Sequence, residues 1–86
     1  MNTFLLNISS PDGKVFSGQV TCIIVRGASG DLAVMAGHIP FITSVKEGSC
    51  VVHFEDGTLK NAATTGGLLS VSGSEVTFMT SGLDWE

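Results

Sequence analysis

The 86-residue sequence has no tyrosine, one tryptophan, two histidines, two cysteines, two prolines and only four basic residues. Each shortage removes a class of function. A phosphate backbone needs a concentrated positive strip, but Lys14, Arg26, Lys46 and Lys60 are dispersed along a chain of net charge -4, which excludes nucleic-acid binding. Anionic lipid headgroups ask for the same strip, so no direct lipid insertion is expected either. The longest unbroken apolar run, Leu32 to Ala36, falls far short of the roughly 18 residues of a spanning helix. Met1 to Ser10 lacks both a basic start and a sustained apolar stretch, so no secretory leader is expected. Without that leader the sequon Asn7-Ile8-Ser9 reads as mid-strand sequence rather than a glycosylation site. Cys22 and Cys50 lie inside apolar runs and read as reduced core thiols, not as a staple.

Catalytic chemistry is equally short of material. His53 sits among Val52, Phe54 and Glu55 and reads as a sheet-face residue. His38 falls in the loop Gly37-His38-Ile39-Pro40, with no acid or cysteine close in sequence to orient it as a base. The cysteines and histidines show no zinc-ligand spacing. Gly27-Ala28-Ser29-Gly30 and Thr64-Thr65-Gly66-Gly67 lack phosphate-loop spacing and a following lysine, and read as turns and bulges. Asp12, Asp31 and Asp56 fall at turns, where solvent keeps them ionised. No catalytic residue, metal or cofactor is expected.

What the chain does have is glycine and short apolar segments. Eleven glycines leave no glycine-free stretch longer than the first twelve residues, so helices of average length have no room. Strands fit between them. Phe4, Leu6 and Ile8 alternate with Thr3, Asn7 and Ser9, broken only by Leu5; Cys50, Val52 and Phe54 alternate with Val51, His53 and Glu55, and Val76 and Phe78 with Glu75 and Thr77. Val20 to Val25 and Leu32 to Ala36 read as strands covered on both faces. Asp12-Gly13, Asp56-Gly57 and Ser72-Gly73-Ser74 mark three hairpins. Eight to ten short strands with regular turns describe one all-β domain, a sandwich in preference to a barrel. Hydrophobic residues make up 43% and charged residues 14%, against roughly 25% charged in ordinary domains. That balance excludes disorder, and so sparse a surface charge suggests a partner covering part of the surface.

The stretch from Val25 to Gly48 adds specificity. It places Gly27-Ala28-Ser29-Gly30-Asp31, a short apolar strand, then Gly37-His38-Ile39-Pro40-Phe41 and Lys46-Glu47-Gly48 in order. In this it resembles the signature of the ε subunit of bacterial F-type ATP synthase. Ser10-Pro11-Asp12-Gly13-Lys14-Val15-Phe16-Ser17-Gly18 looks like that family's first hairpin, and Gly66-Gly67-Leu68-Leu69-Ser70-Val71 like a later strand. The resemblance implies a β-sandwich of two five-stranded sheets over residues 1–84. Residues 85–86 would be a stub where the family's C-terminal helical pair begins. That pair inhibits ATP hydrolysis and in some members binds ATP, so neither property is expected of these 86 residues. Whether the chain is cut or naturally short stays open.

The implied role is non-catalytic. A rotor subunit of the central stalk would dock the γ subunit onto the membrane ring of c subunits and couple ion-driven rotation to ATP synthesis. It would sit peripherally at the cytoplasmic face of the bacterial plasma membrane. The resemblance assigns Asp31, His38, Ile39 and Pro40 to the contact with the c-ring and γ, and Ser10 and Thr43 to the contact with γ. Pro40 would hold its loop's φ near about -65° and pre-order that contact. The alternative class, a sandwich binding carbohydrate or another small ligand, would want exposed aromatics, and this sequence offers one terminal Trp85.

Overall fold

The computed structural model describes residues 2–37 and 39–86 and contains ten strands. They are β1 (Phe4–Ser10), β2 (Gly13–Val20), β3 (Cys22–Gly27), β4 (Gly30–Met35), β5 (Phe41–Val45), β6 (Gly48–His53), β7 (Leu59–Thr64), β8 (Gly67–Ser72), β9 (Glu75–Thr80) and β10 (Leu83–Trp85). One five-stranded sheet, sheet I, has the order β4-β3-β6-β7-β10; the other, sheet II, runs β5-β8-β9-β1-β2. A single residue pair, Gly27 with Val45, joins them into one continuous hydrogen-bonded surface. The sandwich expected from glycine spacing is therefore present, rolled almost into a barrel.

Its construction follows from three strands that bend over one corner. β5 continues into β6 through Lys46–Glu47, β7 into β8 through Thr65–Gly66, and β9 into β10 through Ser81–Gly82. On one side of the corner β6, β7 and β10 pair in sheet I; on the other β5, β8 and β9 pair in sheet II. Inward residues from both sheets meet between them: Leu6, Ile8, Leu69, Val76 and Phe78 from sheet II, and Ile23, Val25, Val34, Cys50 and Val52 from sheet I, all at most 2% exposed. Burying each such side chain contributes about 1.5–3 kcal/mol, which makes this interior the main source of stability. The opposite side of the roll, between edge strands β2 and β10, is closed by aromatics. Phe16 meets Phe54 and Trp85 edge-on at 6.0 and 5.9 Å, and Lys60 Nζ lies 5.1 Å above the indole. Trp85 thus belongs to the last strand and packs back on the fold, and the Glu86 N–H donates to Asn61 O at 2.8 Å.

The corner itself holds a hydroxyl network. Thr80 Oγ1 lies 2.7 Å from Gly66 O and 2.9 Å from Thr64 Oγ1, and it accepts from the Gly82 N–H at 3.2 Å. Thr64 Oγ1 lies 3.0 Å from Gly82 O and accepts from the Gly66 N–H at 3.1 Å. Thr80 Oγ1 also lies 2.9 Å from Gly82 O, so the two hydroxyls together serve backbone groups on two bending strands. Outside them, Thr65 and Ser81 hydroxyls meet at 2.8 Å. Thr80→Val keeps the shape and removes the hydroxyl, leaving buried partners unpaired. Urea denaturation should register a loss of about 1–3 kcal/mol, and Thr80→Ser should recover most of it.

Two expectations need correction. Val20 to Val25 is not one strand covered on both faces. The chain leaves sheet II at Val20 and enters sheet I at Cys22, and Thr21 marks the crossing by giving both its N–H and its hydroxyl to His53 O, at 2.8 and 3.1 Å. Leu32 to Ala36 is likewise not covered on both sides, because β4 lies at the edge of sheet I with Ala33 and Met35 exposed.

The three hairpin turns fall at the expected glycines. At Asp56-Gly57 the Thr58 hydroxyl and N–H both donate to Asp56 Oδ1, at 2.6 and 3.0 Å, and hold that carboxyl below its usual range.

Candidate functional site

The predicted contact residues fall into two groups on the structure. The first surrounds a cleft of 340 Å³ at the β3–β4 hairpin, lined by Gly27 to Leu32 on one side and Phe41, Ile42 and Thr43 on the other. Asp31 and Thr43, twelve positions apart, share it. Asp31 is the second residue of β4, where the register sets it opposite Arg26; its carboxylate lies 3.9 Å from Arg26 Nε with 73% of the side chain exposed. An ion pair so open to water contributes about 0–1 kcal/mol, so it leaves the carboxylate available to other cations. Thr43 lies on the inward-facing side of β5 with Phe41 and Val45, while Ile42 and Ser44 point outward. Ile39 is 77% exposed, and Pro40 beside it is exposed too. His38 lies outside the described residues.

Ser10 belongs to the second group. It ends β1, accepts from the Asp12 N–H at 3.3 Å and donates to Gly13 O at 3.4 Å, so it shapes the first hairpin. With Ser9, Pro11, Met79, Thr80 and Ser81 it lines a recess of 370 Å³ at the bent end of sheet II.

Sequence reasoning missed what lies between the groups. On the outer face of sheet II, Leu68 stands directly opposite Met79, and Ile42 is its diagonal neighbour on β5. These three are 39%, 45% and 67% exposed. Ile42 lines the hairpin cleft and Met79 lines the recess, so an apolar diagonal connects the two. Ser44, Ser70, Thr77, Asn7, Ser9, Ser17 and Gln19 lie on the same face, with half-buried Leu5 among them. Charge enters only at its margins, with Lys14 and with Glu75, whose carboxylate accepts from Asn7 Nδ2 at 2.7 Å. The missing signal was combinatorial: single large apolar residues at outward positions on three strands form a patch only once the register is known.

Nothing in this surface is arranged for covalent chemistry. Among the described residues no three His, Cys, Asp or Glu side chains gather. Cys50 is buried in the core, where desolvation pushes its thiol up to about 11, and burial also raises that of Cys22. A face with an apolar centre, a hydroxyl surround and charge only at its margins has the make-up of a surface covered by another protein.

Comparison with known proteins gives the chain its family. Residues 3–86 match the family model described as ATP synthase, Delta/Epsilon chain, beta-sandwich domain. The ATP synthase epsilon chain of Bacillus velezensis is 38% identical over 79 residues, covering 92% of this chain and 59% of that one. The sodium-ion-specific ATP synthase epsilon chain of Acetobacterium woodii is 32% identical over 83 residues, covering 96% and 62%. The chain therefore spans about 60% of the length of these relatives. Among solved structures, a chain of the Euglena gracilis mitochondrial ATP synthase (OSCP/F1/c-ring, rotational state 1) superposes with a TM-score of 0.91 at 22% identity, over 96% of this chain and 53% of that one. A chain of the Tetrahymena thermophila mitochondrial ATP synthase central stalk and c-ring gives 0.79 at 12% identity, over 92% and 63%. At those identities the likeness is one of fold.

Proposed function

Because the chain belongs to the ATP synthase delta/epsilon β-sandwich family, we propose that it is a non-catalytic docking element of the enzyme's rotating central stalk. It binds the γ subunit through the outer face of sheet II and rests the β3–β4 hairpin on the polar loops of the c-ring, locking shaft to disc. Ion flow turns the ring, and the sandwich passes that rotation to γ and so to the catalytic subunits. It works peripherally, at the cytoplasmic face of the bacterial plasma membrane.

The observation that carries this reading is the apolar diagonal Ile42–Leu68–Met79, which joins the Asp31–Thr43 cleft to the Ser10 recess. It supports a single continuous contact in place of scattered ones. Covering apolar area contributes about 25 cal/mol per Å², and a face so poor in charge loses little by dehydration. The continuous hydrogen-bonded roll supports the mechanical part: a load at the hairpin reaches the outer face through paired backbone rather than through a loop. Asp31 supplies the ring end with an exposed negative charge, suited to basic loop residues.

Two measurements test this. Mixed with purified γ subunit, the 86-residue chain should co-elute as a stable complex in gel filtration; persistent separation of the two would overturn the reading. Asp31→Arg should weaken attachment to c-ring-containing vesicles, in a salt-dependent way, while the melting temperature stays near that of the parent. A collapse in melting would instead make Asp31 a structural residue.

A further inference from the structure

The outer face of sheet I holds a row of side chains that docking does not use. The register sets Cys22 of β3 directly opposite Met35 of β4 on one side and His53 of β6 on the other. Directly paired residues of antiparallel strands send their side chains to the same face, with Cα atoms about 4.5–5.5 Å apart. A thioether, a thiol and an imidazole therefore stand side by side in sequence-distant strands. All three line one cavity of 520 Å³, together with Asn2, Thr21 and Ala36. Met35 is 60% exposed, and Cys22 and His53 are half-buried, so the row is open to an incoming ion and anchored beneath. Thr21 fixes the His53 end, since its N–H and its hydroxyl both bond His53 O at 2.8 and 3.1 Å.

We propose that Cys22, His53 and Met35 form a binding site for a soft monovalent metal ion, copper(I). The donor set selects the ion. Thiolate and thioether favour copper(I), whereas a structural zinc site fills four positions with cysteine, histidine or carboxylate. Neighbouring side chains on three adjacent strands give a three-coordinate arrangement with Cys22 central. Binding exchanges the thiol proton for the metal: the S–H bond breaks, an S–Cu bond forms, one proton leaves to solvent, and no electron is transferred. Cys50 takes no part, because it points into the core. The site lies on the opposite sheet from the apolar diagonal, so it stands or falls independently of the proposed docking role.

The test is anaerobic titration of the 86-residue chain with copper(I) against a coloured competing chelator. One equivalent should be retained, with ultraviolet thiolate-to-copper absorption. Cys22→Ser should weaken retention by roughly 100-fold or more, and His53→Gln and Met35→Leu each by about 10-fold or more. Cys50→Ser should leave it unchanged. Failure of the parent chain to compete, retention by Cys22→Ser, or parent-like affinity in both His53→Gln and Met35→Leu would overturn the site. The last outcome would mean a bare thiol binding without its neighbours. Met35→Leu and His53→Gln alter exposed or half-exposed positions, so their melting curves separate loss of metal from loss of fold.

Discussion

Gly67→Ala should cost the chain most of its folding stability, about 3–5 kcal/mol. A Cβ at position 67 would overlap the Met79 carbonyl oxygen and stand 2.9 Å from both the Met79 carbonyl carbon and Thr80 Cα. Those are backbone atoms of the partner strand, so no side chain can swing aside to make room. Gly67 also pairs with Val45 on its other edge, at the one place where the two sheets share a hydrogen-bonded surface. Moving β8 to relieve the clash would open the corner on both sides. Gly66→Ala should be severe for a related reason: its φ is +99°, and its Cβ would lie 2.5 Å from Val45 O. A domain of this size has little stability in reserve, toward the low end of about 5–15 kcal/mol, so Gly67→Ala should be largely unfolded at ambient temperature. Far-UV circular dichroism through a urea series checks it. A curve superimposable on the parent's would show that the corner is not as tight as its geometry requires.

The double substitution Ile42→Asp with Met79→Asp should abolish docking to γ while leaving the fold intact. Both side chains point to solvent, at 67% and 45% exposure, so neither removes core volume. In a covered interface each carboxylate would be buried without a partner, and central anchors of this kind typically cost about 2 kcal/mol or more apiece. Together they amount to an affinity loss on the order of 1,000-fold or more. Calorimetric titration with γ measures the loss, and thermal melting of the free variant controls for folding. The single variants should each lose less. A double variant that binds like the parent would place γ on another surface.

Much of the fold was legible in the sequence because glycine spacing and period-two alternation are local signals. Phe4, Leu6 and Ile8 announced an inward face, and Gly13, Gly57 and Gly73 announced hairpins, with no knowledge of the rest of the chain. What escaped was set by partners distant in sequence. Val20 to Val25 reads as one strand because the run is apolar, yet Val20 and Ile23 are buried in different sheets with Thr21 crossing between them. Met35 looks like core from its apolar neighbours, and only its edge position exposes it. Thr64 and Thr80 carry no local mark of burial; they are 4% exposed because three strands bend over them.

The candidate contacts show the same division. Asp31 and Thr43 were read from a motif, and the structure brings both to one cleft. The diagonal that links them to Ser10 uses Ile42, Leu68 and Met79 from three strands, and no window of sequence contains all three.

The central claim is that γ covers sheet II and not sheet I. Two methionines report the two faces: Met79 on the outer side of sheet II and Met35 on the outer side of sheet I, 45% and 60% exposed. Hydroxyl-radical footprinting of the chain, free and bound to γ, reads both in one experiment. Strong protection of Met79 with Met35 still oxidised at its free rate is the expected result; protection of Met35 with Met79 left open would contradict the account.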